Sequence, residues 1–239
     1  MNAVGGRERT GDGWTIVVPV KSLDRAKSRL GSTLSPDSRR GLVVAMTTDV
    51  VTACLHSQQV GRVRIVSSDP QIAALADRLG AEFVAETTPA PGTDVDPLNA
   101  ALTEALAGLT GRVAVVAADL PELDAQSLTC VLDSAAEYPH SVVVDHRGEG
   151  TTMAFWAGGT ARVCRFGAGS AERYRLEGGA AVLDVDDIAR GAASRDVDIP
   201  EDVVRLAGRR VGAATARALT GVSAPLRCPD HPRSATMVW

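Results

Sequence analysis

Trp14-Thr-Ile-Val-Val-Pro-Val-Lys-Ser-Leu-Asp-Arg-Ala-Lys-Ser-Arg-Leu30 is the stretch from which the fold can be read outward. The short apolar run Ile16 to Val20 predicts a buried strand. It runs straight into a loop carrying Lys21, Arg25, Lys27 and Arg29, four cations within nine residues. An open α/β sheet takes its ligand in the crevice past the carboxyl ends of its strands. Cations concentrated there point to an anionic ligand, phosphates foremost. The competing reading is a solvated basic loop.

Downstream, strand-like and helix-like segments alternate. Ser35-Pro36 supplies a cap and a first-turn proline for a helix through about Leu55. Arg62 to Val66 is the next strand. Ser67-Ser-Asp-Pro70 opens a helix with Ile72, Leu75, Ala76 and Leu79 at helical spacing, and Gly80 ends it. Glu82 to Ala85 is a short strand, and Thr87 to Asp96, rich in Pro, Gly and Thr, is a loop long enough to be functional. Asp96-Pro97 begins a helix through about Leu109. Arg112 to Ala117 is the most apolar strand and central to the sheet. A helix follows to Ala136, then strands at Ser141–Asp145 and Thr152–Ala157, a short helix from Gly167-Ala-Gly-Ser170, and a strand over Ala193–Asp198. Pro200 opens a helix to about Leu206, and Gly212 to Leu219 forms the last one. This order predicts an α/β fold with a mostly parallel central sheet and helices on both faces. Residues 1–13 are expected to be a disordered extension, 14–220 a single domain, and 221–239 a Pro-rich tail.

Composition narrows the function. Aromatics are only 3% of the 239 residues, which disfavours a protein that reads nucleic acid by stacking bases. A net charge of -4 argues against a general polyanion-binding surface, so any cationic site is local. The cysteines Cys54, Cys130, Cys164 and Cys228 are widely spaced with no CxxC pair; Cys228 and His231 lack two further zinc ligands. With no signal-peptide pattern and no membrane-length apolar run, a cytoplasmic protein is expected, without nucleic-acid or membrane partners. The P-loop and GxGxxG signatures are both missing.

The residues able to do chemistry cluster at predicted strand ends. Asp119 follows the most apolar strand, where a carboxylate can hold a divalent cation against a ligand or can make a turn. In Arg195-Asp-Val-Asp-Ile-Pro200, the i, i+2 spacing of Asp196 and Asp198 on a strand puts both carboxylates on one face, where their repulsion is costly without a cation. Asp198 serves equally as a cap for the helix at Pro200. Gly148-Glu-Gly-Thr-Thr152 and Gly167-Ala-Gly-Ser170 are turns whose main-chain N–H groups can approach an anion, with Thr151 and Ser170 as added hydroxyl donors. Asp94, Asp96 and Asn99 surround one helix start, as acceptors for a purine edge or ribose or, for Asp96, as a cap. His146 reads as a surface residue, and no Ser-His-Asp or Cys-His pattern points to covalent catalysis. Together these features suit Mg²⁺-dependent transfer of a nucleotide group.

The ordered set V-P-V-K-S-L-D-R-A-K-S-R-L (18–30), D-P-L-N (96–99), A-D-L-P-E-L (118–123), G-T-T (150–152), R-F-G-A-G-S (165–170) and D-V-D-I-P-E-D (196–202) resembles the guanylyltransferases of coenzyme F420 biosynthesis, over roughly residues 14–220. The resemblance implies a MobA-like nucleotidyltransferase fold, related to glycosyltransferase-A sheets. It implies transfer of GMP from GTP to a phosphorylated three-carbon acid, phosphoenolpyruvate or 2-phospho-L-lactate, with release of pyrophosphate and a downstream F420 transferase as partner. Carried over residue by residue, Asp119 and Asp196, assisted by Asp198, would hold Mg²⁺. Thr151, Gly167 and Ser170 would hold the acceptor acid, Lys21, Lys27 and Arg29 the triphosphate, and Asp96 and Asn99 would lie near the nucleoside. The chain departs from the pattern at Ile199, where the family often has Thr, and at Ala168-Gly169, where some members carry Pro-Asp. The basic loop stands where the wider superfamily has a Gly-rich one. The alternatives are a nucleotidyltransferase with another phosphorylated acceptor and a GTP-binding sensor without turnover. The Ala-, Arg-, Gly- and Val-rich composition suggests a GC-rich genome and hence an actinobacterium, for which the resemblance implies phosphoenolpyruvate.

Overall fold

The structure, a computed structural model, describes residues 13–86, 96–159 and 161–221. The expected N-terminal extension up to Asp12, nearly all of the Thr87–Asp96 loop with Asp94, and the tail beyond Gly221 with Cys228 and His231 lie outside the described residues. Among the described residues no helix is long and apolar enough to cross a membrane.

The sheet forms from β1 (Trp14–Pro19), β2 (Val60–Ser67), β3 (Glu82–Ala85), β4 (Val113–Val116), β5 (His140–Val144), β6 (Thr151–Trp156) and β7 (Ala181–Val182). Its order is β3-β2-β1-β4-β6-β5-β7. β1 pairs in parallel with β2 and β4, β2 with β3, and β5 with β7, while β6 runs antiparallel between β4 and β5. The chain leaves β1 toward β2 on one side and returns to β4 on the other. The junction of β1 and β4 is therefore a topological switch point, where loops diverge and a crevice opens.

Period-two alternation sorts the core into two layers. Ile16, Val18, Ala114 and Val116 face one side, where α1 (Pro36–His56), α2 (Pro70–Leu79), α4 (Ala125–Ala135) and α6 (Asp187–Ser194) cover them. Val17, Val113 and Val115 face the other, under α3 (Pro97–Leu106) and Tyr174 of α5 (Ser170–Leu176). Central strands buried on both faces read as unbroken apolar runs for this reason.

The helix starts at Pro36 and Pro70 are made by the expected residues, whereas the helix at Pro200 has Ile199, not Asp198, at its cap. Ser35 accepts the Ser38 N–H at 3.1 Å, and Asp69 accepts the Gln71 N–H at 2.9 Å. The second oxygen of Asp69 accepts the Leu23 N–H at 2.9 Å, tying the loop after β1 to the cap of α2.

Two corrections concern the C-terminal third. The strand expected over Ala193–Asp198 is not one. Asp186 caps a helix there, accepting the Ile188 and Ala189 N–H groups at 3.0 Å each, and α6 continues to Ser194. Asp196 to Ile199 then runs extended, but its neighbour is a loop: the Val197 N–H donates to the Asp119 carbonyl at 3.2 Å. The alternation that suggested a strand is physical, because Val197 is buried while Asp196 and Asp198 flank it on the more open side. The second correction is β7, a two-residue edge strand that the sequence reading missed.

A third, smaller cluster joins these pieces. Leu30 and Leu34, Leu42 and Met46 of α1, Val197, and Val203 and Leu206 at α7 (Pro200–Arg205) pack together. It clamps the segment after Lys27 against the segment holding Asp196 and Asp198. The last helix, α8 (Ala213–Thr220), packs on α1.

Candidate active site

Lys27 begins a single 3₁₀ turn, Ser28–Ser32, and has left-handed backbone angles, φ 52° and ψ 41°. That conformation costs a β-carbon-bearing residue about 1–2 kcal/mol. It is held by the Leu23–Asp69 bond on one side and by buried Leu30 on the other. The result aims the ammonium at the switch point, where it donates to Asp119 and, at 2.7 Å, to Asp198 Oδ1. Burial lowers the Lys27 pKa, but the carboxylates of Asp119 and Asp198 overcome this and raise it above the ordinary lysine value.

Asp119 arrives on the loop after β4, and Asp196 and Asp198 arrive on the extended segment that Val197 fixes in the third cluster. Each offers an oxygen, and these oxygens lie within 4.8 Å of one another. Burial, then the neighbouring charges of Asp119 and Asp198, push the Asp196 carboxyl up to about 7. Asp198 is moved the other way: burial raises it, but Lys27 brings it below the usual carboxylate range. One ammonium therefore faces a group of three carboxylates, and Asp196 is the one left crowded by like charge. An all-oxygen set with uncompensated negative charge fits a hard divalent cation such as Mg²⁺ or Mn²⁺.

The Asp145–Gly150 turn links this cluster to the second half of the site. The Asp145 carboxylate accepts the N–H groups of Arg147 and Glu149 at 3.0 Å and of Gly150 at 2.8 Å. A β-carbon on Gly150 would fall 2.5 Å from Asp145 Oδ2 and force that carboxylate off its N–H donors, so glycine keeps the turn in this form. The main-chain donors at Glu149 and Gly150 are thus taken by the chain's own carboxylate. What the turn delivers is the Thr151 hydroxyl, 3.0 Å from the Ser170 hydroxyl. The Ala171 N–H donates to the Glu149 carbonyl at 3.1 Å, so the two Gly-rich turns lie side by side. Gly167, with φ 111°, makes the entry to α5, and its carbonyl accepts the Ser170 N–H at 3.1 Å.

Other sequence-derived residues behave differently. Lys21 and Arg29 are exposed, with Arg29 close enough to Asp198 to lower its pKa. Asp96 caps α3 by accepting the Asn99 N–H at 3.0 Å. The Asn99 carboxamide bridges the main chain of Phe166, accepting its N–H at 2.8 Å and donating to its carbonyl at 3.0 Å. It therefore ties α3 to the Gly167–Ser170 turn.

Sequence reading missed a polar layer behind the carboxylates. Asp202 is buried; it accepts Arg147 Nη2 on both oxygens at 2.8 Å, Arg205, and the N–H groups of Asp198 and Ile199 at 2.8 and 3.0 Å. His146, expected on the surface, is half-buried beside Asp196, Arg205 and Asp202. Its partners lie some fifty residues away, so no local pattern marks it.

The seven-stranded sheet has the nucleotide-diphospho-sugar transferase fold, and Lys27 and three aspartates meet at its β1/β4 switch point. The structure superposes on that of a protein from Desulfovibrio desulfuricans G20 described as a nucleotide-diphospho-sugar transferase, with a TM-score of 0.62, over 87% of this chain and 96% of that one at 16% identity. Residues 14–205 match the family described as "Guanylyl transferase CofC like", and the chain belongs to that family. It is 40% identical over 208 residues to a phosphoenolpyruvate guanylyltransferase of Mycolicibacterium gilvum (strain PYR-GCK), covering 86% of this chain and 94% of the relative. To the protein of the same name from Streptomyces scabiei (strain 87.22) it is 39% identical over 217 residues, covering 89% and 98%.

Proposed function

We propose that this protein transfers GMP from GTP to phosphoenolpyruvate in coenzyme F420 biosynthesis, giving enolpyruvyl-diphospho-5′-guanosine and pyrophosphate. The observation that carries the reading is the convergence of Lys27 with Asp119, Asp196 and Asp198 at the switch point, in a chain whose relatives bear that activity in their names. Asp119, Asp196 and Asp198 would hold Mg²⁺, which when bound would supply charge neutralisation at the phosphates.

The acceptor's phosphate oxygen is the nucleophile. It is ionised at neutral pH, so the chain needs no general base. That oxygen bonds to the α-phosphorus of GTP as the bond from the α-phosphorus to the bridging oxygen breaks, and pyrophosphate leaves. Lys27, joined by Lys21 and Arg29, stabilises the charge on the departing pyrophosphate. The Thr151 and Ser170 hydroxyls and the turn at Gly167 hold the acceptor acid in line. Asp96 and Asn99, at the start of α3, border the nucleoside end.

The test is pyrophosphate release from GTP and Mg²⁺ with phosphoenolpyruvate or 2-phospho-L-lactate, the product identified by mass spectrometry, with a parallel reaction containing the downstream F420 transferase and its deazaflavin acceptor. Phosphoenolpyruvate is the expected acceptor, and Asp119→Asn is expected to lower turnover roughly 10²-fold or more. Preference for 2-phospho-L-lactate would change the substrate. No release with either acid in both reactions would reject the reading.

A further inference from the structure

His146 follows β5, within the turn that feeds the site, and its N–H donates to the Ser194 carbonyl at 2.8 Å, two residues before Asp196. Its ring lies between two unlike partners. Arg205 Nη1 is 3.0 Å from Nε2, and Asp196 Oδ1 is 3.3 Å from Nδ1. A guanidinium offers only donors, so Nε2 is the acceptor and the ring proton sits on Nδ1, facing the carboxylate. The opposite tautomer would turn an N–H against Arg205, with an Asp202 oxygen 3.9 Å away, beyond hydrogen-bond reach.

The facing atoms are matched by elimination. His146 Nδ1 and Asp196 Oδ1 are buried, neither has a hydrogen-bond partner among the described residues, and at 3.3 Å each is placed for a small ring or carboxylate rotation to satisfy the other. Arg147 Nη1 approaches the same oxygen only to 3.9 Å. Arg205 is itself fixed by donating to buried Asp202, which also holds the main chain at Asp198 and Ile199. Arg205 therefore donates both to Asp202 and to His146 Nε2, which leaves the imidazole Nδ1 facing Asp196.

We infer that His146 is a positioning residue: its Nδ1–H holds Asp196 Oδ1 and keeps that carboxylate turned into the cation cluster. Without such a donor, Asp196 gains by swinging away from Asp119 and Asp198, whose oxygens lie within 4.8 Å. With Oδ1 engaged by the imidazole, Oδ2 is the oxygen left for the cation. The inference rests on the proposed cation site, and it concerns only how this chain prepares one of its ligands.

The probe is Mn²⁺ alone, titrated into the full chain without nucleotide and followed by electron paramagnetic resonance. Loss of an outer hydrogen bond of this kind lowers metal affinity about 10–100-fold, the weakening expected for His146→Leu. His146→Asn, whose carboxamide N–H occupies the place of Nδ1, is expected to recover affinity to within about threefold of the wild type. Nitrogen-15 NMR of the unsubstituted, metal-free protein is expected to show the Nδ1–H tautomer, a readout that does not depend on either variant folding. Undiminished affinity in His146→Leu, an Asn variant no better than Leu, or an Nε2–H tautomer would each overturn the inference alone. Failure of the wild type to bind Mn²⁺ would overturn the cation site itself, and this inference with it.

Discussion

Replacing Lys27 with Met removes one charge and keeps the stem and the left-handed backbone, so the change reports on the ammonium alone. In the metal-free protein that ammonium faces Asp119 and Asp198, with side-chain exposures of 13% for Lys27, 19% for Asp119 and 40% for Asp198. Removing one member of a buried ion pair costs about 3–5 kcal/mol, because its partners are left uncompensated. Solvent screening at Asp198 brings the figure to about 3 kcal/mol. At roughly 2–4 °C per kcal/mol for a chain of this size, the melting temperature should fall about 6–12 °C in chelator-treated buffer. Mg²⁺ should then raise the melting temperature of the variant more than that of the wild type, since the cation no longer competes with an ammonium for the same oxygens. Calorimetry with and without Mg²⁺ measures both effects. A metal-free loss below about 1 kcal/mol would show that the pair is solvated in the manner of a surface salt bridge, and the reasoning would fail.

Further expectations follow from the same geometry. The Asp196 carboxyl, raised to about 7 by burial and its like-charged neighbours, makes metal-free stability greatest below the unfolded-chain carboxylate range and lets it fall as pH rises through about 7. Asp196→Asn should therefore be more stable than the wild type at pH 8 without metal, and less stable once Mg²⁺ is added; urea unfolding with no such inversion would count against the crowding. Asp202 behaves oppositely: burial raises its pKa, but Arg147 and the Asp198 and Ile199 N–H groups bring it below the usual range. Its contribution is present above the unfolded carboxylate pKa and is lost as pH falls through its folded value. Asp202→Asn should cost about 3–5 kcal/mol at pH 7, and much less in strong acid. Ser170→Ala should raise the KM for the acceptor acid about tenfold, the worth of one hydrogen bond of about 1.4 kcal/mol, and leave the KM for GTP nearly unchanged. Equal effects on both substrates would move Ser170 out of the acceptor site.

The parts of the fold that were legible are those governed by short-range rules. Ser35 and Asp69 cap the helices they were expected to start, and the alternation in β1 and β4 sorts residues between two faces. One misreading lies where the partner comes from afar, another where the chain supplies its own ligand. Asp196-Val-Asp198 alternates as a strand does, but the alternation is set by Val197 entering the cluster of Leu30, Met46 and Val203 and not by a ladder. The Gly148–Thr152 segment reads as an anion turn, but the anion on its Glu149 and Gly150 N–H groups is the Asp145 carboxylate, while the Gly148 N–H donates to the Asp145 carbonyl. That substitution of an internal carboxylate for an external ligand is invisible without coordinates, because both demand the same glycine.

Taken alone, the chain determined that a buried first strand delivers cations to a sheet end, that Asp119 stands past the most apolar strand, and that Asp196 and Asp198 are a paired acidic feature. Those are properties of residue type and order, expressed through periodicity and capping over a few residues. Tertiary structure decided that Lys27 meets Asp119 and Asp198, across 92 and 171 residues, and that β6 runs against its neighbours so that Thr151 starts at the ligand end of the sheet. It also decided that His146 stands behind Asp196. These are contacts between segments remote in sequence, set by packing and loop closure, and charges placed so far apart along a chain acquire a joint chemistry only when the core brings them within a few ångströms.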